Sequence, residues 1–269
     1  MRARTLAHLS DLHFGRSAES DDRNRALAKL LLSADIDHLV VTGDVTHRGR
    51  LSELGLFAEA YASFIRAGRV SVVPGNHDRL GEDVGAALVR GSRVLVDQRE
   101  GLYIVRLDST GPHNRNPITS HGLLGDEDVR LVRESFRRAP EGVLRVLLLH
   151  HHPLPLPEES LSERLATRLG MPDELERGEQ LLREIAGNCD FVLHGHRHRP
   201  RAHELFTETR IPLHVWNAGS APELGRVRVL RHRAGRMIDW SWVAAADIQN
   251  PPRRMGLWAL TEGAALFLA

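Results

Sequence analysis

Aspartate, asparagine and histidine residues occur in five short blocks that could bind metal ions. In chain order the blocks are Asp11-x-His13, Gly43-Asp44, Gly75-Asn76-His77-Asp78, His150-His151-His152-Pro153 and Gly195-His196-x-His198. Carboxylates, an amide and imidazoles, without thiolates, suit hard or borderline divalent ions such as Mn, Fe, Zn or Co. Side chains two positions apart in extended chain point the same way, so each x-separated pair can bind from one loop.

Such a donor set predicts hydrolytic chemistry. Two divalent ions about 3.5–4 Å apart can lower the pKa of a shared water and clamp both the attacking and the leaving oxygen. Asp44 lies between the other groups in sequence, and we expect it to bridge the two ions. Each block alone is a weak signal, because Gly-Asp and similar dipeptides are common in ordinary turns. The ordered set of five favours one shared metal centre.

Each block follows a short apolar run that we predict to be a mostly buried strand. The five runs are residues 6–9, 38–41, 70–73, 143–149 and 191–193. In open α/β sheets, ligands bind outside the carboxyl ends of the strands. We therefore expect the five blocks to converge in space.

The rest of the chain supplies a further strand, the predicted helices and a strand-rich end. A strand is predicted over residues 102–107, and helical spacing of apolar residues covers 23–33, 51–67, 126–139 and 175–187. Alternation of strand and helix is typical of βαβ units and predicts the α/β class. Shorter strands alone follow at 213–216, 226–231 and 237–243. Without repeats or low-complexity linkers, we predict one domain over residues 1–269.

Composition limits the classes of protein that are compatible with the chain. It has 269 residues, of which 42% are hydrophobic and 26% charged, as in ordinary globular proteins. The net charge of +1 gives no global attraction to nucleic acid or anionic membrane. The only cysteine, Cys189, cannot form an intramolecular disulfide, which fits a reducing compartment. With no signal-peptide core and no long apolar run, we expect a cytoplasmic protein without a membrane span.

The five blocks, in this order, closely resemble the motifs of the calcineurin-like metallophosphoesterase superfamily over about residues 5–200. The segment Asn217-Ala218-Gly219-Ser220 is also similar to a family element. The resemblance implies a four-layer α/β/β/α sandwich with a dinuclear metal site at the carboxyl ends of the strands. It also implies a small-molecule phosphoester substrate and two divalent ions, with Mn or Fe favoured and Zn or Co as alternatives.

The resemblance further implies which residues hold each ion. Asp11, His13, Asp44 and His198 would bind the first ion, and Asp44, Asn76, His151 and His196 the second. The family ligand usually stands two residues before the proline, which selects His151 in the histidine triplet. His150 is the alternative.

Three further residues receive roles from the resemblance. The expected reaction is in-line attack by a metal-bridging hydroxide, with His77 as proton donor or charge stabiliser and Arg48 as a contact to the phosphate. His47, which we also place in the substrate-binding region, stands where many relatives carry an aspartate that orients the catalytic histidine. An imidazole cannot stabilise a cationic His77 as a carboxylate would, and Asp78 is the candidate to compensate. We expect a His47→Asp change to raise the rate on esters with poor leaving groups. Purple acid phosphatases carry a metal-binding tyrosine at this position, so His47 argues against their iron chromophore.

In the residues of its motifs and in its length, the chain most resembles bacterial phosphodiesterases that act on cyclic nucleotides and glycerophosphodiesters. A DNA-repair-type nuclease and a phosphomonoesterase remain alternatives, as does a catalytically inactive scaffold. The loops at residues 110–121 and 154–173 are candidates for substrate selection. The segment 248–269, with its apolar end, either packs on its own sheet or forms an oligomer contact or a lid.

Overall fold

The computed structural model describes residues 2–154 and 175–244. Most of the candidate loop at 154–173 and the whole segment 248–269 lie outside these residues. The prediction of a single domain over 1–269 extends past them and stays a prediction. No helix in the part of the chain that the structure describes is long and apolar enough to cross a membrane.

Two β-sheets form the centre of the molecule. The described strands are β1 (Arg4–Leu9), β2 (His38–Thr42), β3 (Val70–Val73), β4 (Val94–Arg99), β5 (Leu102–Leu107), β6 (Leu144–Leu148), β7 (Phe191–His194), β8 (Arg201–Leu205), β9 (Leu213–Asn217), β10 (Arg226–Arg233) and β11 (Arg236–Ala244). The first sheet has the order β11-β10-β1-β2-β3, and the second has the order β4-β5-β6-β7-β9-β8. Strands β1, β2 and β3 are mutually parallel, as are β5, β6, β7 and β9. Their carboxyl ends therefore lie at one edge of each sheet.

Helices cover the outer faces of both sheets. They are α1 (Ala18–Ser33), α2 (Leu51–Ala60), α3 (Ala62–Arg66), α4 (Val84–Val89), α5 (Asp126–Arg137), α6 (Gly178–Ile185) and α7 (Ala221–Leu224). Ser17 caps the start of α1, because its hydroxyl accepts a hydrogen bond from the Ser20 amide. In α5 the buried residues Val129, Val132 and Phe136 recur at helical spacing and form the face that packs on the second sheet.

Three apolar clusters fill the spaces between the layers. One packs α1, α2 and α3 against the first sheet, and another packs α5 and α6 against the second. The third lies between the sheets and includes Leu6, Val40, Ile104, Val146 and Leu193. Successive residues of one strand point to opposite faces and belong to different clusters: Leu6 packs between the sheets, whereas Ala7 and Leu9 pack against helices. Burial on both faces explains the continuous apolar runs, and the four-layer α/β/β/α sandwich is confirmed.

The differences from the sequence prediction occur mainly at sheet edges. Strands β4 and β8 lie at the two edges of the second sheet, and many of their side chains are exposed. Strand β8 has no apolar run, and in β4 the short run Val94-Leu95-Val96 is followed at once by Asp97-Gln98-Arg99, so the sequence analysis did not predict these strands. The predicted helix at 51–67 is divided at Tyr61 into α2 and α3. The short helices α4 and α7 were also not predicted.

Candidate metal centre

The loops that follow five parallel strands bring the predicted ligands together. Asp11 and His13 follow β1, Asp44 follows β2, and Asn76 follows β3. The histidine triplet follows β6, and the pair His196 and His198 follows β7. Hydrogen bonds between loop backbones fix this arrangement: the amides of Asp11 and His13 donate to the carbonyls of Gly43 and Asp44. The strand-end rule therefore describes where these side chains meet.

Four of the side chains form a first group. The Nε2 atom of His13 lies 3.1 Å from Nε2 of His198 and 3.7 Å from Oδ2 of Asp44. Nε2 of His198 lies 3.6 Å from Oδ1 of Asp11. One ligand atom each of Asp11, His13 and His198 lies within 4.8 Å of the other two. This is the set that the resemblance assigns to the first ion.

A second group lies on the other side of Asp44. Nε2 of His150 is 3.1 Å from Oδ1 of Asn76, 3.5 Å from Oδ2 of Asp44 and 3.2 Å from Nδ1 of His196. Nδ1 of His196 is also 3.1 Å from Oδ1 of Asn76. Asp44 thus has an oxygen near the histidines of both groups, as a bridging carboxylate requires.

The three histidines of the triplet have different contacts, and these contacts differ from the sequence expectation. His150 contacts the carboxylate and the amide of the second group, and its Nδ1 atom lies 2.8 Å from the Thr42 carbonyl. The ring of His151 is near those of His150 and His196, and its Nδ1 atom lies 2.9 Å from the Ser109 hydroxyl. The geometry therefore favours His150, the alternative, over His151, which was selected by its distance from Pro153. His152 turns away to His194, with Nδ1 3.3 Å from Nε2.

Five of the predicted ligands have a left-handed backbone conformation. Their φ angles are 53° for Asp11, 47° for His13, 49° for Asp44, 76° for His196 and 53° for His198. This conformation is uncommon outside glycine, although Asp and His tolerate it better than most residues. Such strain persists only where the surrounding structure holds it, and it concentrates at functional sites.

The loops can approach so closely because three of them contain glycine; a Cβ atom at Gly43 would overlap the ring of His150. A Cβ atom at Gly75 would overlap the carboxylate of Asp44, and one at Gly195 would overlap the hydroxyl of Ser10. Gly195 also precedes His196, whose amide donates to Asp11. The glycines in the sequence blocks are therefore required by the close approach of the ligand loops.

Burial and mutual charge control protonation in the cluster. Burial is the main cause that raises the pKa of Asp11 to about 6 and lowers the pKa of His13 to about 3. Burial alone would lower the pKa of His150, but the charge and hydrogen bond of Asp44 outweigh it and raise that pKa to about 9. Conversely, burial would raise the pKa of Asp44, but His150, His77 and His13 hold it well below its usual range. A carboxylate this buried needs a cation beside it.

The donor set fits bound metal cations. Ring nitrogens of different histidines approach each other to 3.1 and 3.2 Å. A hydrogen bond between two such nitrogens needs a proton on one of them and a free lone pair on the other. Nε2 of His151 is buried without a hydrogen-bond partner in the described structure. Nitrogen and carboxylate lone pairs that point at one another are the arrangement that a divalent ion resolves.

His77 is oriented by backbone rather than by a neighbouring side chain. Its Nδ1 atom lies 2.8 Å from the carbonyl oxygen of His47 and donates to it, and its amide donates to Oδ1 of Asp44 at 2.9 Å. The imidazole rings of His47 and His77 stack with centroids 5.7 Å apart. The acceptor that orients His77 is therefore the backbone carbonyl of His47 and not the side chain at position 47.

Asp78 does not take over that role either. Its oxygens accept hydrogen bonds from the amides of Val45, Thr46 and Gly75 and from the Thr46 hydroxyl. Burial raises its pKa, and the nearby Asp44 adds to this. Asp78 instead joins the loop that carries Asp44 to the loop that carries Asn76.

Glu223 was not identified from sequence. It lies on α7, three residues after the end of the family-like segment at 217–220, and its Oε2 atom is 3.2 Å from Nδ1 of His198. Its other oxygen pairs with Arg16. A carboxylate on the second nitrogen of a ligating histidine fixes the ring and strengthens the donor. Only the fold brings position 223 to position 198.

The predicted substrate contacts lie at the border of the cluster. Arg48 is exposed and adjoins His47. Burial and the charge of His77 are the larger causes that lower the pKa of His47, and the charge of Arg48 adds to them. The residue that follows the loop at 110–121 lies against the histidine triplet, because a Cβ atom at Gly122 would overlap the ring of His151. Within that loop the rings of His113 and His121 stack with centroids 4.0 Å apart.

Comparison with known proteins decides the family. The family model described as calcineurin-like phosphoesterase matches residues 4–200. The chain belongs to the calcineurin-like phosphoesterase family. Members are hydrolases of phosphoric esters that use a dinuclear metal centre, and the Asp and His clusters fit such a centre. No curated protein matches the sequence.

Solved structures of other phosphoesterases share this fold. A Danio rerio dimetal phosphatase has 11% identity and a TM-score of 0.57, covering 90% of this chain and 99% of its own. A Staphylococcus aureus protein described as a 5′-nucleotidase has 14% identity and a TM-score of 0.56, with 91% of this chain and 54% of that one covered. The yellow lupin purple acid phosphatase PPD1 has 10% identity and a TM-score of 0.53, with 90% and 54% covered. The chain thus spans about half the length of two of these proteins.

Proposed function

We propose that this phosphoesterase hydrolyses phosphodiesters with two divalent ions held by seven side chains. Asp11, His13, Asp44 and His198 are proposed for the first ion, and Asp44, Asn76, His150 and His196 for the second, with His151 as the alternative to His150. The observation that carries the proposal is the convergence of these donors on both sides of Asp44. An inactive scaffold would not need to retain the complete set.

The ions would supply the Lewis-acid chemistry of the reaction: activation of a water and neutralisation of charge on the phosphoryl oxygens. Mn and Fe are proposed first, with Zn and Co as alternatives, because the donors are nitrogen and oxygen atoms. The protein itself keeps the donor atoms at fixed positions through strained loops, which lowers the reorganisation that binding requires.

His77 is proposed as the proton donor to the leaving group. Its Nδ1 atom is held by the His47 carbonyl, which fixes the tautomer and leaves Nε2 as the nitrogen free to exchange a proton. The ring lies beside His13, with centroids 4.7 Å apart, so it adjoins the first ion position. His47 and Arg48 are proposed to contact the substrate at the same border.

The preference for diesters rests on the likeness of the motifs to bacterial diesterases. One observation favours monoesters as the second candidate: Arg48 is exposed beside His47, and a guanidinium suits the additional charge of a terminal phosphate. A nuclease would need a basic track along the strand of nucleic acid, which the net charge of +1 does not favour.

A cytoplasmic location is proposed from the cysteine content. Cys189 is the only cysteine, and it is buried. A chain with one cysteine cannot form the intramolecular disulfides that stabilise proteins of oxidising compartments. Association through residues 248–269 remains a proposal on a segment outside the described residues.

The test is hydrolysis of bis(p-nitrophenyl) phosphate compared with p-nitrophenyl phosphate by metal-stripped protein re-loaded with Mn²⁺. We expect faster turnover of the diester, lost in His196→Ala. Faster turnover of the monoester would assign the second candidate function. Absence of metal-dependent turnover of both esters would count against hydrolysis at this centre.

A further inference from the structure

Three imidazoles form a separate group beside the proposed metal centre. One ring nitrogen each of His13, His47 and His77 lies within 4.8 Å of the other two. The ring centroids are 4.7 Å apart for His13 and His77, 5.7 Å for His47 and His77, and 5.9 Å for His13 and His47. Neither His47 nor His77 belongs to the set proposed for the two ions, so both are available when that set is filled.

Unused nitrogens point to a ligand for this group. Nδ1 of His47 and Nδ1 of His13 are buried without a hydrogen-bond partner among the described residues. Nδ1 of His77 donates to the His47 carbonyl, so Nε2 is its free nitrogen. Buried polar atoms normally have a partner, and each exception calls for an explanation such as an ion or a water.

We propose that His13, His47 and His77 form a third cation site that takes a borderline transition-metal ion of the Zn²⁺ class when that ion is in excess. The inference rests on the proposed function, since His13 is shared with the first ion. Sets of imidazoles bind Zn²⁺, Cu²⁺ and Ni²⁺, whereas Mg²⁺ and Ca²⁺ prefer oxygen donors and Mn²⁺ binds imidazole more weakly. Because Nε2 of His13 faces the first ion, the third ion takes Nδ1, and the ring bridges the two ions as an imidazolate after its N–H proton passes to solvent. The third ion therefore binds more weakly than the two beside Asp44.

Occupation of this site has a direct consequence for catalysis. The ion takes the free Nε2 atom of His77, which is the nitrogen proposed to protonate the leaving group. Excess zinc therefore inhibits the enzyme by filling a third position, which shares only His13 with the two activating positions. Excess manganese does not inhibit in the same range of concentration.

The test counts zinc ions bound to the full chain by equilibrium dialysis over rising free Zn²⁺, with metal measured by mass spectrometry. We expect three ions per wild-type chain at high zinc and two in His47→Phe, which keeps a stacked ring but removes both nitrogens. His47→Asn provides a second variant should the phenylalanine disturb folding. His203→Phe, which removes a half-buried histidine of the edge strand β8, is the matched control and should still bind three.

The possible results distinguish failure of the third site from failure of the dinuclear centre. Two ions in wild type and variants alike would overturn the third site and leave the dinuclear centre intact. Three ions with equal affinity in all the proteins would place the extra ion elsewhere and also overturn the inference. Fewer than two ions in wild type would contradict the proposed function itself. Hydrolysis of an ester with a poor leaving group is measured in parallel, relative to each protein's own rate without excess zinc. It should fall with the third zinc ion in wild type and not in the His47 variants.

Discussion

At the scale of single residues, neighbouring histidines with identical side chains have different surroundings. His150 reaches the carboxylate and amide oxygens of Asp44 and Asn76, while His151 reaches the Ser109 hydroxyl. Distance from Pro153 in the sequence selects His151, but the direction in which each ring leaves the loop favours His150. That direction depends on where β6 ends, which spacing alone does not determine.

The first prediction compares these two histidines. His150→Ala should lose one of the two ions, because the second group loses the nitrogen that faces both Asp44 and Asn76. His151→Ala should keep both ions with affinity about 10- to 100-fold weaker, the usual cost of removing a supporting residue. Metal content after desalting and binding calorimetry would measure this. Loss of an ion only in His151→Ala would assign His151 as the ligand.

The second prediction concerns His77. His77→Gln should lower the rate about 10²- to 10⁴-fold for esters with poor leaving groups, because these need a proton as the bond breaks. Esters with a p-nitrophenol leaving group should be affected much less. The measurement is kcat across a series of leaving-group pKa values, with metal content confirmed. An equal loss for every ester would indicate that His77 stabilises charge or position instead of donating a proton.

At the scale of elements, the sequence carried most of the information about the centre and less about its support. Five apolar runs followed by polar blocks located the strands β1, β2, β3, β6 and β7 and the residues at their ends. The edge strands β4 and β8 were missed because β8 has no apolar run and β4 has only a short one that three polar residues follow. Glu223 could not be found, since its contact with His198 depends on how α7 packs near the end of β1.

The third prediction is made at this scale, for the connection between two ligand loops. Asp78→Ala should destabilise the protein by about 3–5 kcal/mol, because three buried amides lose their acceptor. Asp22→Ala, which removes an exposed carboxylate of α1, should change stability by less than about 0.5 kcal/mol. Urea unfolding of each variant would measure the difference. Equal stability of both variants would contradict the role assigned to Asp78.

At the scale of the whole molecule, buried histidines should make stability depend on pH. Burial is the main cause that lowers the pKa of both His38 and His232 to about 4, and neither residue belongs to the metal centre. Unfolding returns each to about 6.5, so between these values the unfolded chain binds more protons. Their contribution is complete above about pH 6.5 and is lost as the pH falls toward 4.

The fourth prediction isolates one of these groups. His232→Phe should reduce the loss of stability between pH 6.5 and 4, because both nitrogens of His232 are buried without a partner among the described residues and the variant binds no proton there. The free energy of unfolding of wild type and variant is compared at each pH. Their difference cancels the effect of metal loss that both proteins share. Parallel curves over this range would show that His232 is not a source of the acid sensitivity.

The fifth prediction addresses the central claim, that seven side chains from five strand ends hold two ions with Asp44 between them. The measurement is the metal content of Mn²⁺-loaded protein after desalting, for wild type and Asp44→Ala. We predict two ions per wild-type chain and fewer than one in the variant, because both ions lose their shared carboxylate. A wild-type content of one ion or none, or two ions retained in Asp44→Ala, would contradict the account.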